Sequence, residues 1–176
     1  VYDEVVYTSM FDIEAGRNRL IVTRSFSKSY SMTGFRIGYV AAPADVIDAL
    51  SKLQSHLTGN VCTFAQYGAL AALQLDQDLL AARRSELQQK RDTAFERVSK
   101  WFDCIQPQGA FYLFPDVSTA LKNDKTSEAL ARRILKEAGV AVVAGEAFGM
   151  AKHLRISFAV SDENLQNGLK QIAEVL

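Results

Sequence analysis

The sequence predicts an α/β protein, and three observations carry that prediction. Two short apolar runs, Leu20-Ile21-Val22 and Ile37 to Ala42, flank a hydroxyl-rich stretch in the way two strands flank a loop. From Ala44 to Phe102 the apolar residues recur at helical spacing in three successive segments. Beyond Cys104 the period returns to that of strands, with helical segments interleaved.

A chain of 176 residues has room for one ordinary domain, or one and a half small ones. Its 48% hydrophobic and 23% charged content is that of a globular protein rather than a disordered one. Twenty basic and twenty acidic residues cancel, which leaves no electrostatic case for a nucleic-acid or acidic-membrane partner. Cys62 and Cys104 are too few and too far apart for a disulfide framework or a zinc site, so no metal and a reducing, cytoplasmic setting are expected. No apolar run reaches the ~18 residues that cross a bilayer. No charged segment followed by an apolar one opens the chain.

Val1 to Tyr7 reads as the tail of a strand carrying Asp3 near its carboxyl tip, where open α/β sheets place ligand-binding groups. A strand-end turn residue is the other reading of Asp3. Ser9 to Asn18 is a polar connection, and Leu20 to Thr23 the strand that delivers the central loop. That loop, Ser25 to Gly38, holds four serines, a threonine and two glycines, which suit an anion better than a core. Lys28 within it is suited to a Schiff base, and Arg36 to a phosphate clamp. Taken singly, each of these residues suits a solvated surface; their joint occurrence is what points to chemistry.

Ile37 to Ala42 is the next strand, closed by Pro43. A helix follows with Val46, Ile47, Leu50, Leu53 and Leu57 on one face, and then a break at 58–63. Residues 63–75 are so apolar that a helix there is expected to be buried on most sides. Asp76 to Phe102 is the longest helical stretch. Its seven-residue interval Leu80, Leu87, Ala94, Trp101 lacks a consistent second apolar position, so one helix between two lobes explains it better than a coiled coil. The domain boundary is expected inside it, near Arg91 to Thr93.

Gln106 to Asp116 reads as a turn feeding an aromatic strand. Thr126 or Ser127 caps a helix that ends at Gly139, and Val140 to Val143 is a short strand. His153 to Ala159 alternates cleanly, with Leu154, Ile156 and Phe158 on one face and His153, Arg155 and Ser157 on the other. An amphipathic helix from Ser161 closes the chain.

The stretch Ser25-Phe26-Ser27-Lys28-Ser29-Tyr30-Ser31-Met32-Thr33-Gly34-Phe35-Arg36-Ile37-Gly38 resembles the cofactor-lysine signature of class I/II aminotransferases, enzymes of pyridoxal phosphate (PLP) fold type I. The resemblance implies that Lys28 carries PLP covalently, and that Ser25 and Arg36 hold its phosphate with Ser27 as a helper. Asp3-Glu4-Val5-Val6 is similar to the family's Asp-Glu-(Val/Ile)-Tyr element, which implies that Asp3 pairs with the pyridine nitrogen. Val6 stands where the family has a tyrosine, with Tyr7 one residue late. Gln106 to Asp116 is similar to Pro-x-Gly-Ala-Phe-Tyr-Leu-Phe-Pro, the element that opens the small domain. Ala144 to Gly149 resembles Pro-Gly-x-x-Phe-Gly, with Ala144 in place of proline. Arg155-Ile156-Ser157-Phe158-Ala159 resembles the element whose arginine grips the substrate α-carboxylate.

The resemblance further implies the C-terminal part of such an enzyme: the end of the PLP-binding large domain over residues 1–92 and the small α+β domain over 93–176. Members of the family are about twice this long, and the rest of their site lies upstream of the aspartate. Amino acid and 2-oxo acid substrates and a homodimer are implied for the full-length protein. Asn60 either reaches a neighbouring subunit or sits in a plain helix-joining turn. A carbon–sulfur lyase of the same fold and a non-catalytic remnant are the competing expectations.

Overall fold

The computed structural model describes residues 1–13, 16–121 and 124–176. Residues 14 and 15, within the polar connection expected over 9–18, lie outside them. The chain divides into two compact units, Val6–Ala81 and Val1–Val5 with Ala82–Leu176.

In the unit Val6–Ala81, β1 (Val22–Ser25) and β2 (Gly38–Ala41) pair antiparallel, with Val22 opposite Ala41 and Ser25 opposite Gly38. α1 (Ala44–Leu57) starts directly after Pro43, whose fixed φ suits a helix entry, and carries Asp45 in its first turn and His56 in its last. It stops where the Thr58 and Gly59 amides both donate to the Gln54 carbonyl and Gly59 takes φ +71°. α2 (Thr63–Leu73) buries only the small residues Ala65, Ala69 and Ala72. Phe64 and Tyr67 are 72% and 70% exposed, so the expectation of a helix buried on most sides does not hold in this chain. The physical reason is local: one stripe of α2 meets the β1–β2 loop, and nothing among the described residues of its unit covers the rest.

The second unit takes most of α3 (Gln77–Val98), since the division at Ala81 falls within that helix. The boundary expected at 92/93 lies further along the same helix. Around it lie β3 (Tyr112–Leu113), α4 (Ser127–Ala138), β4 (Val143–Ala144), β5 (Leu154–Ser157) and α5 (Asp162–Val175). β5 is the central strand, antiparallel to β3 on one side and β4 on the other. Leu154, Ile156 and Phe158 point from it into a core shared with Val98, Ile134 and Leu169, so the alternation read in the sequence sets the inward face. The Thr126 and Ser161 side chains cap α4 and α5 through the amides of Ala129 and Asn164. Gly139 closes α4 at φ +66°.

Val1–Tyr7 forms no strand. Asp3 and Glu4 both take left-handed conformations, φ 57°, in a turn. No strand among the described residues lies beside them to complete a ladder. The Tyr2 ring instead enters the core of the second unit, 4% exposed, and its amide donates to the Gln108 carbonyl at 2.9 Å. Among the described residues, no helix is long and apolar enough to cross a membrane.

Candidate active site

The loop between β1 and β2 is pinned by its apolar residues. Phe26 and Met32 are 4% and 7% exposed and pack with Ala69 and Ala72 of α2. The alanines matter because larger side chains would hold the loop off the helix. Gly68 is similarly constrained: a Cβ there would lie 3.1 Å from the Phe35 ring. Gly38 allows the strands to close, since a Cβ there would meet the Arg24 carbonyl oxygen at 2.5 Å.

With its apolar residues turned toward α2, the loop shows polar residues on its outer side. Ser25 at the end of β1 and Lys28 are exposed, and Ser27 is half-buried. The Ser25 Oγ accepts from the Ser27 amide at 3.1 Å, which leaves its hydroxyl proton to be donated elsewhere. Ser31 and Arg36 take φ 56° and 52°, two left-handed residues that fold the loop around the short turn Thr33–Phe35. Arg36 Nη1 donates to the Thr33 carbonyl at 3.0 Å. Its other guanidinium N–H groups have no partner among the described residues. The loop thus carries two hydroxyls, an amine and a guanidinium on Ser25, Ser27, Lys28 and Arg36, groups whose chemistry suits a phosphate and a carbonyl. A groove of about 510 Å³ beside it, lined by Phe26, Ile37, Tyr39 and Leu70, is apolar and holds none of these four groups.

Asp3 and Arg155 belong to the other unit and have their own surroundings there. The Asp3 carboxylate is taken by Arg91: Nη2 donates to Oδ1 at 2.7 Å and Nη1 to Oδ2. Arg91 is 1% exposed; it also donates to the Pro107 carbonyl at 3.1 Å and lies over the Tyr2 ring at 4.9 Å. The Arg91 hydrogen bond holds the Asp3 carboxyl below its ordinary range, against the opposing effect of burial. Sequence reasoning missed Arg91, although it occupies the second inward position of the Leu87–Ala94–Trp101 stripe that looked unfilled.

Arg155 lies half-buried on β5, its Cζ 4.4 Å from the Tyr112 ring centroid and 4.6 Å from that of Phe148. Among the described residues its guanidinium has no hydrogen bond and no ion pair. An arginine stacked on aromatic rings, with its donor fork unsatisfied, is arranged to receive a planar oxyanion. Neither ring was singled out from the sequence, although both lie in the two motifs quoted around Gly109 and Gly149.

The family model described as Aminotransferase class I and II matches residues 1–172. The chain is 43% identical to a probable aspartate/prephenate aminotransferase of Aquifex aeolicus, over 91% of this chain and 42% of that protein. It is 41% identical to an aspartate/prephenate aminotransferase of Cereibacter sphaeroides, over 98% and 46%. Among solved structures, an aromatic aminotransferase from Pyrococcus horikoshii superposes with a TM-score of 0.92 at 34% identity, over 100% of this chain and 48% of that one. An aspartate aminotransferase from Rhizobium meliloti gives 0.90 at 34% identity, over 99% and 46%. The chain spans about half the length of the relatives it matches. With the lysine loop, the aromatic strand β3 and the arginine of β5 all inside the matched region, the chain belongs to the class I and II aminotransferase family.

Proposed function

We propose that this chain, within a protein of its relatives' length, is the lysine-bearing part of a PLP-dependent aminotransferase that moves an amino group from an amino acid to a 2-oxo acid. The observation that supports the reading is the β1–β2 loop, in which Phe26 and Met32 are buried, Ser25, Lys28 and Arg36 are exposed, and the Ser27 amide donates to the Ser25 Oγ. These residues fit the cofactor. Serine hydroxyls and an arginine fork suit a phosphate dianion, and a lysine amine suits an aldehyde. When bound, PLP supplies the electron sink that makes the substrate Cα–H acidic.

The chain's own residues do the rest. Lys28 Nζ would hold the cofactor, and its amine would act as general base toward the substrate Cα proton. Arg36 and Ser25 fix the phosphate end. Asp3, whose carboxyl Arg91 holds in the ionised form, would be the partner for the ring nitrogen. Arg155 takes the substrate α-carboxylate with its unfilled fork, a task that guanidinium geometry suits better than an ammonium. A cytoplasmic homodimer completes the proposal; Cys62 and Cys104 are both free thiols, which agrees with a reducing compartment.

The test is covalent capture in the full-length protein. Borohydride treatment in the presence of PLP should fix the cofactor on the Lys28 peptide, as read by mass spectrometry. Lys28→Ala should abolish that adduct and lower turnover by about 10⁴-fold. An adduct that persists in the variant rules the assignment out. A second reading, a carbon–sulfur lyase, is favoured by Val6, 86% exposed at the position where the family has tyrosine. Pyruvate release from cystathionine, without dependence on a 2-oxo acid, would select it.

A further inference from the structure

The two rings over Arg155 come from separate elements, and each is placed for a reason visible in the backbone. Tyr112 pairs with Ser157 across the β3–β5 ladder. Arg155 lies two residues before Ser157 on the same face, which makes it the diagonal neighbour that a long side chain can reach. Phe148 ends the short turn Gly145–Phe148 that follows β4. That turn closes only with glycine at its start, since a Cβ on Gly145 would come within 2.1 Å of the Met150 carbonyl oxygen and 2.8 Å of His153. Gly149 at φ +74° then reverses the chain. Phe114 meets Phe148 edge-on at 6.0 Å and itself stacks on His153 at 5.0 Å, so the Phe148 ring is supported in turn.

From this geometry we infer that Tyr112 and Phe148 are positioning residues for substrate-carboxylate binding: they hold the plane of the Arg155 guanidinium so that its in-plane donor edge is presented. A guanidinium lying over aromatic rings is poorly hydrated on its faces, and its N–H groups point outward in the plane. An oxyanion arriving at that edge meets two parallel donors already oriented. The contribution of the rings is to spare the long arginine side chain the loss of rotamer freedom on binding.

The inference rests on the reading of Arg155 as the carboxylate-binding residue, and the experiment separates the two. In the full-length protein, Tyr112→Leu and Phe148→Leu should each raise KM for the amino acid by about threefold to thirtyfold, with kcat changed little. Tyr112→Phe, which keeps the ring, should restore the wild-type KM. If Arg155→Lys raises KM while both leucine variants leave it alone, positioning by the rings is refuted and the role of Arg155 stands. If Arg155→Lys leaves KM unchanged, the role of Arg155 fails first. Where a leucine variant does not fold, the Nε–Hε resonance of Arg155 in the unsubstituted chain decides. A ring-current displacement supports the stack, and a position typical of a solvated arginine overturns it.

Discussion

Arg91 holds the Asp3 carboxylate through both of its terminal nitrogens, across 88 residues of chain. The guanidinium is 1% exposed and the carboxylate side chain 40% exposed, so the two partners are not equivalent. Removing Asp3 strands a buried cation with, among the described residues, Asp92, the Pro107 carbonyl and the Tyr2 ring for partners, whereas removing Arg91 leaves an anion that water can reach. Asp3→Asn should therefore lower the thermal midpoint by more than Arg91→Met does, with a difference of a few degrees by calorimetry. Equal losses would show that the pair is not buried asymmetrically.

The same pair sets a pH dependence. Asp3 and Glu146 both have carboxyls held below their ordinary values, the first chiefly by the Arg91 hydrogen bond and the second chiefly by the Ser127 hydroxyl. A carboxyl whose folded value is depressed stabilises the fold above its ordinary range, and that stability is lost as pH falls through the depressed value. Thermal midpoints measured from neutral to strongly acidic pH should fall on the acid side, and Ser127→Ala should flatten part of that fall. An acid-side slope identical in the variant would remove Ser127 from the account.

Gly38→Ala places a methyl against the Arg24 carbonyl, a backbone atom that cannot turn aside. The β1–β2 pair should splay at a cost of about 1–3 kcal/mol, read by urea denaturation. In the full-length protein the variant should also yield less borohydride-fixed PLP on Lys28. Normal stability would mean that the strands close less tightly than the structure has them.

Phe26→Ala removes the ring that seats the lysine loop on α2. Truncating a buried phenylalanine costs about 3 kcal/mol or more. Here the cluster is small, comprising Phe26, Met32, Ala69 and Ala72, so the loss should fall on the loop itself. Amide hydrogen exchange at Ser27 to Tyr30 should accelerate more than exchange in α4. Uniform acceleration over both units would contradict a local role.

What neighbours in sequence decide was legible in the chain itself. The Lys28 loop between two strands, the Thr126 cap, the Gly139 stop and the inward face of β5 follow from spacing, capping and alternation, which are local rules. The family match over residues 1–172 agrees with that reading. That Val1–Tyr7 forms no strand and that α2 is largely exposed were not legible, because strand formation and burial depend on what lies alongside, and periodicity carries no record of that. Arg91 shows the limit well. Its place in the α3 stripe was visible as a gap in the apolar pattern, yet the charge that fills the gap has meaning only once Asp3 folds back onto it. The rings over Arg155 are similar: the sequence supplied three residues in three motifs, and the β3–β5 register with the Gly145 turn brought both ring centroids within 5 Å of the Arg155 guanidinium carbon.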